Sequence, residues 1–529
     1  MPTYTYPGVY VEEIPSGVRT IAGVSTSDTA FIDCFKRGPM NQAVRVTGME
    51  DFTRKFGGLH RPSEASYALR QYYLNGGQVA WVVRVASGMP VAAALTLAPV
   101  GSPAAGSLTL EAASPGVWGL ALEAGVDHNA RDATNEFNLV VREVTVEAGT
   151  RRVVNTEVHR NLSMNLNSPR FVRDAVNEAS ELVVVTNVGA GPRPATTGAD
   201  VTSPAIVADP SPTPNPFRAF GQGQTPAVSD GNPPDSAALV GGLSALEHIA
   251  PHIFNILCLP AVANLNEAGM DTVITAATKF CTDKRAFLIV DPHGGTDSLA
   301  DLSTWMRDHG DALRSKNAAF YFPRALVRDP LNEDRPRLVG PSGTMAGVYA
   351  RTDAQRGVWK APAGTDARLQ GVTLEASLTD LENGGVNPLG INVLRTFPVF
   401  GNVAWGARTL DGADQQASEW KYVPVRRTAL YIEESLYQAL KWVVFEGNDE
   451  TLWSQIRLNV GAFMNDLFRQ GAFQGATPAE AYFVKCDEET TTQTDVDRGI
   501  VNILVGFAPL KPAEFVVIKI QQIAGQIET

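Results

Sequence analysis

The stretch VDPHGGTD places side chains suited to acid–base or metal chemistry, Asp291, His293 and Asp297, directly after a run of apolar residues. Polar groups that follow a buried strand of an α/β protein often meet ligands, because the carboxyl ends of parallel strands border a crevice. A hydrolase or metal-dependent enzyme that uses the Asp291/His293 loop is therefore one hypothesis. In the alternative, the proline and glycines form a turn, and Thr296 or Asp297 caps the next helix. The turn residues favour this structural interpretation.

Other candidate sites have weaker patterns. Ser342 in LVGPSGT lacks the G-x-S-x-G spacing of a nucleophile elbow, and FGQGQT lacks the Gly-Lys-Ser/Thr of a phosphate loop. His248 and His252 are four residues apart, but Pro251 interrupts any helix that would carry both. The sequence therefore predicts no catalytic, metal-binding or cofactor-binding residues and no cofactor.

The amino-acid composition argues against nucleic acid and membranes as partners. The 529 residues include 44 Lys+Arg against 56 Asp+Glu, a formal net charge of −12, which disfavours direct binding to nucleic acid. No apolar run reaches the roughly 18 residues of a membrane helix, so we expect no stable membrane insertion. The beginning, MPTYTYPGVYVEEIPSG, lacks the basic and apolar regions of a signal peptide. The four widely spaced cysteines predict reduced, mostly buried thiols made in a cytosol.

The pattern of elements predicts an α/β (α+β) multidomain fold. HIFNILCLP, RAFLIVDP and AAFYFPRALV alternate with helical patterns near 264–282 and 298–315, which is typical of a sheet with parallel strands flanked by helices. The predicted division is an extended N-terminal arm over 1–30, an α/β domain over 31–88 with 237–345, an inserted β-rich domain over 89–188, a Pro-rich linker over 189–236, a C-terminal domain over 346–510 and a final strand over 511–529. The linker, with ten prolines in 48 positions, is expected to bury little.

Two helices are predicted in the last third of the chain. The first carries an apolar stripe that ends at Val443, and the second begins after Asp449 as its cap. Trp442, Phe445 and Trp453 are interpreted as a helix–helix core rather than a pocket lining.

A group of basic residues precedes the first of these helices or opens it. Lys421, Arg426 and Arg427 are followed by Glu433 and Glu434, so a solvated face is the default interpretation. A surface that docks an acidic partner is the alternative.

Residues 511–520, KPAEFVVIKI, form a strand pattern that is apolar on both faces. Phe515, Val516, Val517, Ile518 and Ile520 are aromatic or β-branched, and Lys519 is the one charged residue between positions 515 and 520. Such a strand needs cover on both sides, and an uncovered one would promote aggregation.

Several long motifs in order resemble one family. The segments SGTMAGVYARTDAQRGVWKAPAG, GINVLRTFPVFGNVAWGARTL, WKYVPVRRTALYIEESL, FEGNDETLW, GATPAEAYFVKCD and VGFAPLKPAEFVVIKI look like the C-terminal domain of contractile phage tail sheath proteins. YPGVYVEEI and YYLNGGQVAWVVRV resemble the N-terminal part of the same family, which serves phage tails and phage-derived contractile injection systems. The resemblance is dense over 340–525 and absent from the Pro-rich stretch.

The resemblance implies a structural protein and not an enzyme. Its subunits would form a homo-oligomer of helically stacked rings around an inner tube protein, with baseplate and cap proteins as further partners. Both terminal arms would add strands to sheets of neighbouring subunits. The implied interface residues are Val9, Tyr10, Val11, Ile14, Phe515, Val516, Val517, Ile518, Ile520 and Ile523.

The resemblance also places the tube contact in the C-terminal domain. Within it, we expect the helix over 449–470 to face the tube, with Arg457 and Arg469 toward acidic tube residues. A purely solvated role for both arginines is the alternative. Assembly is expected in the bacterial cytoplasm, and the product would be a component of a virion tail or phage-tail-like particle. A minor sheath paralogue at the baseplate or cap remains a third hypothesis beside the major sheath protein and the enzyme.

Overall fold

The computed structural model describes residues 20–101, 108–147, 149–189, 191–296 and 298–519. The chain divides into two compact units, a larger one of residues 27–351 with 362–419 and a smaller one of residues 1–26, 352–361 and 420–529. The domain division expected from the sequence stays a prediction, because these units separate the chain along different lines.

Strands and helices alternate along the larger unit. Its strands are β1 (Thr29–Asp33), β2 (Ala43–Val46), β3 (Ala80–Arg84), β4 (Ala94–Leu97), β5 (Leu108–Ala112), β6 (Leu122–Asp127), β7 (Glu136–Glu147), β8 (Thr150–Ser163), β9 (Val183–Val188), β10 (Arg218–Ala219), β11 (Ile256–Cys258), β12 (Phe287–Val290), β13 (Ala318–Phe322), β14 (Ala325–Asp329), β15 (Arg335–Val339), β16 (Thr373–Leu374), β17 (Ile391–Phe397) and β18 (Gly401–Ala404). The α-helices that begin in it are α1 (Met49–Phe56), α2 (Glu64–Leu74), α3 (Val172–Ala179), α4 (Pro204–Ala208), α5 (Ser236–Ala245), α6 (Glu267–Asp283), α7 (Leu299–Leu313), α8 (Ser342–Arg356) and α9 (Asp380–Val386).

An eight-stranded sheet forms the centre of the larger unit. Its order is β18-β17-β13-β12-β11-β1-β3-β2. The six inner strands run parallel, and the two edge strands are antiparallel. Every residue of β1, β3, β12 and β13 is buried, as expected for strands of a sheet that is covered on both faces. The predicted α/β fold, with parallel strands flanked by helices, is therefore confirmed.

The β-rich part of the larger unit contains two further sheets, β4-β5-β9 and β10-β6-β7-β8. They enclose a separate core that includes Trp118, Phe137 and Leu139. The Pro-rich segment contributes to the packing of this region, because Val201 (0% exposed) and Phe220 (1%) are buried there and Arg142 stacks 3.6 Å above the ring of Phe217. The expectation that residues 189–236 bury little is therefore wrong, since apolar side chains between the prolines dock on the sheets.

The smaller unit is built on two long helices and a short sheet. Its elements are α10 (Val423–Ala439), α11 (Glu450–Arg469), α12 (Pro478–Ala481), β19 (Tyr482–Lys485), α13 (Gln493–Asp497) and β20 (Leu504–Phe507). Asp449 caps α11 as predicted, since its carboxylate accepts a hydrogen bond of 3.0 Å from the Leu452 amide. The apolar stripe of α11 is buried, so this helix supplies most of the core of the unit.

Arg426 and Arg427 do not form a solvated face. Their exposed fractions are 5% and 4%, and both make ion pairs inside the smaller unit. Arg426 Nη1 lies 3.1 Å from Glu433 Oε1, and Arg427 Nη2 lies 2.6 Å from Asp353 Oδ2. The default interpretation is wrong here because the long stems of these arginines lie along α10, whose first turns are buried.

The three aromatic residues near the end of α10 and the start of α11 differ in how far they are buried. Trp453 is buried in the α11 core as predicted, and Trp442 packs partly against it. Phe445 is fully exposed, so the prediction of a core position is wrong for this residue.

The described residues include neither a membrane-spanning helix nor a cluster of metal ligands. No helix there has the length and apolar character to cross a bilayer. No group of three His, Cys, Asp or Glu side chains within the same ranges could hold a metal ion. The four cysteines are buried and carry free thiols.

One histidine joins α6 to α7 through two acidic side chains. His309 Nδ1 lies 2.6 Å from Asp271 Oδ2, and His309 Nε2 lies 3.5 Å from Glu267 Oε2. Burial opposes the charged imidazole, but the hydrogen bond and charge of Asp271, with the charge of Glu267, raise the pKa of His309 above its ordinary value. The pair of helices is therefore stabilised by protonated His309.

The contribution of His309 to stability is expected to disappear as the pH rises. Because the folded-state pKa exceeds the unfolded value of about 6.5, the stabilisation is complete below that value and is lost as the pH passes through the folded-state pKa. His309→Gln should lower the free energy of unfolding by about 0.5–1 kcal/mol at about pH 5.5 and by little at about pH 9. Denaturant titrations at both pH values measure this. The exposed His248→Gln is the matched control, and an equal loss at both pH values for His309→Gln would contradict the prediction.

Candidate assembly interface

Asp291 follows β12, but its carboxylate is committed to the start of α8. Oδ1 accepts a hydrogen bond of 2.7 Å from the Ser342 amide, and Oδ2 accepts one of 2.5 Å from Ser342 Oγ. Asp291 is 4% exposed, and its burial raises the pKa of the carboxyl group to about 6. This arrangement fixes a helix N-terminus and engages both carboxylate oxygens in hydrogen bonds.

His293 is held by the loop itself. Its Nδ1 accepts a hydrogen bond of 3.2 Å from the Gly295 amide, so Nε2 carries the proton and donates to the Leu265 carbonyl at 2.9 Å. Asp291 and His293 therefore bond to different partners, which supports the structural interpretation of the loop. The predicted cap differs, because Ser298 caps α7 in a capping box with Asp301; Asp297 lies outside the described residues.

The carboxyl end of the central sheet is filled by similar contacts. Asp33, the last residue of β1, accepts hydrogen bonds from Ser63 Oγ at 3.1 Å and the Ala65 amide at 2.7 Å at the start of α2. Burial raises the pKa of Asp33 to about 6. Cys258 at the end of β11 lies against Ser342, with Sγ 3.7 Å from its carbonyl oxygen. The crevice in which α/β proteins bind ligands is thus occupied by two helix N-termini.

The segment that follows β20 has no secondary structure over residues 511–519, and it exposes its apolar side chains. Phe515, Val516, Val517 and Ile518 are 75%, 82%, 78% and 80% exposed. The segment is joined to its own unit by a hydrogen bond of 3.1 Å from Tyr422 Oη to Glu514 Oε2. The other predicted interface residues lie outside the described residues, and they are Val9, Tyr10, Val11, Ile14, Ile520 and Ile523.

The sheet formed by β19 and β20 has two strands. Tyr482 pairs with Phe507 and Lys485 with Leu504 in an antiparallel register. One face packs on the α11 core through Tyr482, Val484, Val505 and Phe507, whereas Phe483 and Leu504 are 50% and 52% exposed. Among the described residues no third strand joins this sheet, although the chain just after β20 is paired by the Phe473–Pro509 bridge and by a 2.9 Å hydrogen bond from the Gln474 amide to the Ala508 carbonyl. The outer edges of β19 and of β20 itself carry backbone groups that another strand could pair with. The sequence motif GATPAEAYFVKCD contains β19, but nothing in its pattern distinguishes an edge that accepts a partner from an ordinary edge.

The two arginines expected to face an inner tube lie on α11. Arg457 donates hydrogen bonds to the Cys486 carbonyl and to Glu450 Oε1, and its side chain is 32% exposed. Arg469 is exposed in the last turn of the helix. Arg469 is therefore the more accessible of the two charges.

The part of the chain that contains α11, the β19–β20 sheet and the exposed segment after β20 is similar to known proteins. Residues 415–523 match the model of the phage tail sheath C-terminal domain. The tail sheath protein of Vibrio phage KVP40 is 30% identical over 183 residues, which are 34% of this chain and 26% of that protein. A putative prophage major tail sheath protein of Pseudomonas aeruginosa (strain UCBPP-PA14) is 26% identical over 252 residues, 47% of this chain and 60% of the relative. The matched regions thus span less than two thirds of either relative.

A solved structure extends the similarity along the chain. The helical sheath of the anti-feeding prophage in its contracted state aligns with a TM-score of 0.57 and 22% identity, covering 98% of this chain and 100% of that one. At this identity the match concerns the fold. Residues 415–523 therefore match a phage tail sheath C-terminal domain, and the chain as a whole shares the fold of the sheath protein of the anti-feeding prophage.

Proposed function

We propose that the protein is a structural subunit of a contractile tail sheath, which polymerises helically around an inner tube and contracts to drive that tube through a target envelope. The observation that carries this proposal is the combination of two features in the smaller unit: an exposed apolar segment at 515–518 and a two-stranded sheet with open edges. The fold shared with the sheath of the anti-feeding prophage supports the same role.

The two features are complementary between copies of the chain. An extended segment can add to an open sheet edge, where backbone hydrogen bonds provide affinity and alternate side chains provide specificity. We infer that residues 511–519 of one subunit add to the β19–β20 sheet of another. Each copy then offers one donor and one acceptor, and a head-to-tail contact that does not close generates a helical polymer. The N-terminal arm is proposed to act in the same way.

This role requires no catalytic centre and no cofactor. Asp291, the acidic residue of the enzyme hypothesis, is buried and bonded to Ser342, which disfavours hydrolase or metal-dependent chemistry at this loop. The further partners we propose are the inner tube, baseplate and cap proteins. Assembly would take place in the bacterial cytoplasm, and the polymer would be part of a virion tail or a phage-tail-like particle.

Negative-stain microscopy of the purified protein over a range of concentrations tests the proposal. A sheath subunit should form tubes or helical polymers above a critical concentration, alone or on its inner tube. A minor paralogue at the baseplate or cap should form single rings. A discrete soluble particle that binds a metal stoichiometrically or turns over a substrate would favour the enzyme hypothesis instead.

The tube contact is expected to depend on Arg469 more than on Arg457. Arg469 is exposed, whereas Arg457 already bonds to Glu450 and Cys486. Arg469→Glu should weaken cosedimentation with the inner tube protein of the same particle by a few-fold, which is typical of an interface rim charge. Arg498→Glu, an exposed change outside α11, is the control. Unchanged tube binding by Arg469→Glu would remove this residue from the proposed contact.

A further inference from the structure

Two strand edges in the β-rich part of the larger unit border a common slot. β4 is the outer strand of the sheet β4-β5-β9, and β10 is the outer strand of the sheet β10-β6-β7-β8. The cavity that both strands line has a volume of about 560 Å³, which is within the usual range of ligand sites, roughly 300–1,000 Å³. Residues 195–197, Gln222 and Gln224 complete its lining. We call this cavity the β4–β10 slot.

Hydrogen bonds close both ends of the slot. At one end the Ala94 carbonyl accepts from the Gly221 amide at 2.8 Å, just beyond β10. At the other end the Ala98 carbonyl accepts from the Ala195 amide at 2.8 Å, and the Ala195 segment is bonded to β6 through the Thr197 amide. The two closed ends are four residues apart on β4, which is about 13 Å of extended chain. An occupant can therefore pair with β4 over only a few residues.

One residue of β4 directs unused backbone groups into the slot. The Ala93 carbonyl accepts from the Ala112 amide at 2.8 Å, so alternate residues from Ala93 onward bond to β5. Ala94 and Thr96 face the opposite way, and the groups of Ala94 are satisfied at the closed end. The Thr96 amide and carbonyl have no hydrogen-bond partner among the described residues. This strand edge can therefore accept an extended chain at Thr96.

β10 provides a second pair of unused backbone groups. The Phe220 amide donates to the Leu122 carbonyl at 3.1 Å, so Phe220 and Arg218 bond to β6. Ala219 lies between them and directs its amide and carbonyl away from β6. It lines the slot, and its backbone groups have no partner in the part of the chain that the structure describes. Both long sides of the slot thus offer a donor and an acceptor.

The slot also contains a cation without a partner. Arg218 lines it and is exposed, and its guanidinium makes no ion pair or hydrogen bond with any described residue. None of the residues that line the slot is acidic. Glu123, opposite Ala219 in β6, is already paired with two other arginines, and Glu111, opposite Ala94 in β5, does not line the slot. The charge of Arg218 therefore favours a ligand that carries a carboxylate.

We propose that the β4–β10 slot binds a short extended peptide with an acidic side chain. The peptide backbone would pair with Thr96, as in the addition of a strand to a sheet edge, and Ala219 would provide a further backbone contact. The peptide carboxylate would accept hydrogen bonds from the Arg218 guanidinium. This binding activity goes beyond the proposed function, since it requires no assembly of subunits and belongs to a different part of the chain from residues 511–519.

Fluorescence anisotropy of a labelled pentapeptide with the full chain tests the site. The probe Thr-Val-Glu-Val-Thr should bind saturably, and the peptide with lysine in place of glutamate should bind about tenfold or more weakly, because it loses a charged hydrogen bond. The glutamate peptide with N-methyl groups on both valine amides should also bind more weakly, since it cannot donate to a strand edge. Equal affinity for the three peptides, or no saturable binding of the first, would overturn the proposal.

A charge reversal in the chain provides a test that loss of structure cannot imitate. Arg218→Glu should weaken binding of the glutamate peptide about tenfold or more and strengthen binding of the lysine peptide, because the signs of the two charges are exchanged. Arg173→Glu, an exposed change on α3 outside the slot, is the matched control and should keep the original preference. A preference for the glutamate peptide that survives Arg218→Glu would contradict the assignment of the carboxylate.

Thr96→Pro tests the backbone contact. Proline removes the amide that faces the slot and leaves the hydrogen bonds to β5 in place, as it does on the open side of an edge strand. Loss of this one hydrogen bond should weaken binding of the glutamate peptide about two- to tenfold. The thermal midpoint should stay close to that of the unmodified chain, and a folded Thr96→Pro variant with unchanged affinity would exclude pairing at β4. If the variant does not fold, the N-methylated peptide still tests the backbone contact.

These measurements separate the peptide site from the sheath role. A protein that forms tubes but binds none of the peptides would retain the sheath role and lose the site. A protein that forms no polymer but shows the expected exchange of peptide preference would retain the site and lose the sheath role.

Discussion

Replacing Ile518 with aspartate is expected to abolish sheath assembly while leaving the subunit folded. Ile518 is 80% exposed in the single chain, so the substitution removes almost no packing there. In the proposed donated strand the same side chain would be buried, and burying an isoleucine contributes about 1.5–3 kcal/mol. The aspartate would instead bring an unpaired charge into an apolar contact, which costs several kcal/mol more. Since one such contact recurs at every subunit, the polymer as a whole is lost.

Electron microscopy and the thermal midpoint together measure this result. Ile518→Asp should unfold at the temperature of the unmodified subunit and form no tubes at any accessible concentration. Leu166→Asp is the matched control, because Leu166 is 74% exposed and lies outside the smaller unit. Intact tubes of Ile518→Asp would show that residues 511–519 do not link the subunits.

Arg427→Ala is expected to cause the largest loss of subunit stability. The Arg427 guanidinium makes two hydrogen bonds to Asp353, of 2.9 Å and 2.6 Å, and the two side chains are only 3% and 4% exposed. It also donates to the Thr26 carbonyl at 2.9 Å. Truncation leaves a buried carboxylate without its cation, and removing one partner of such a pair costs about 3–5 kcal/mol.

Denaturant unfolding of the unassembled subunit measures the effect. The double variant Arg427→Leu with Asp353→Leu should recover most of the loss, because it removes both charges and keeps apolar volume. Arg498→Ala, an exposed change, should alter the free energy of unfolding by less than about 0.5 kcal/mol. A loss below about 1 kcal/mol for Arg427→Ala would mean that the pair is solvated.

Local patterns were sufficient to predict the central sheet and the long helices. β12 is a continuous apolar run, and α11 has both a capping aspartate and an apolar stripe at helical spacing. The burial of Arg427 could not be predicted in this way, because its partner Asp353 is 74 residues away in the chain. Phe217 likewise packs because of a tertiary contact with Arg142, which overrides the polar, proline-rich composition around it.

The candidate interface was only partly predictable for a related reason. The apolar character of Phe515–Ile518 is plain in the sequence, and the structure places these residues in solvent. The open edges of β19 and β20 depend on which strands pair, which is a tertiary property. That property is not encoded in the residue types alone.

The filling of the sheet's carboxyl end by α2 and α8 has a mechanical consequence. Asp33 and Asp291 tie the starts of two helices to neighbouring regions of one sheet, and the space between is packed with side chains such as Cys258 and Ser342. Close-packed interiors resist compression and transmit strain. In the proposed contractile polymer, a unit packed in this way would keep its shape during contraction. The mechanical work of contraction would then be transmitted through the contacts between subunits.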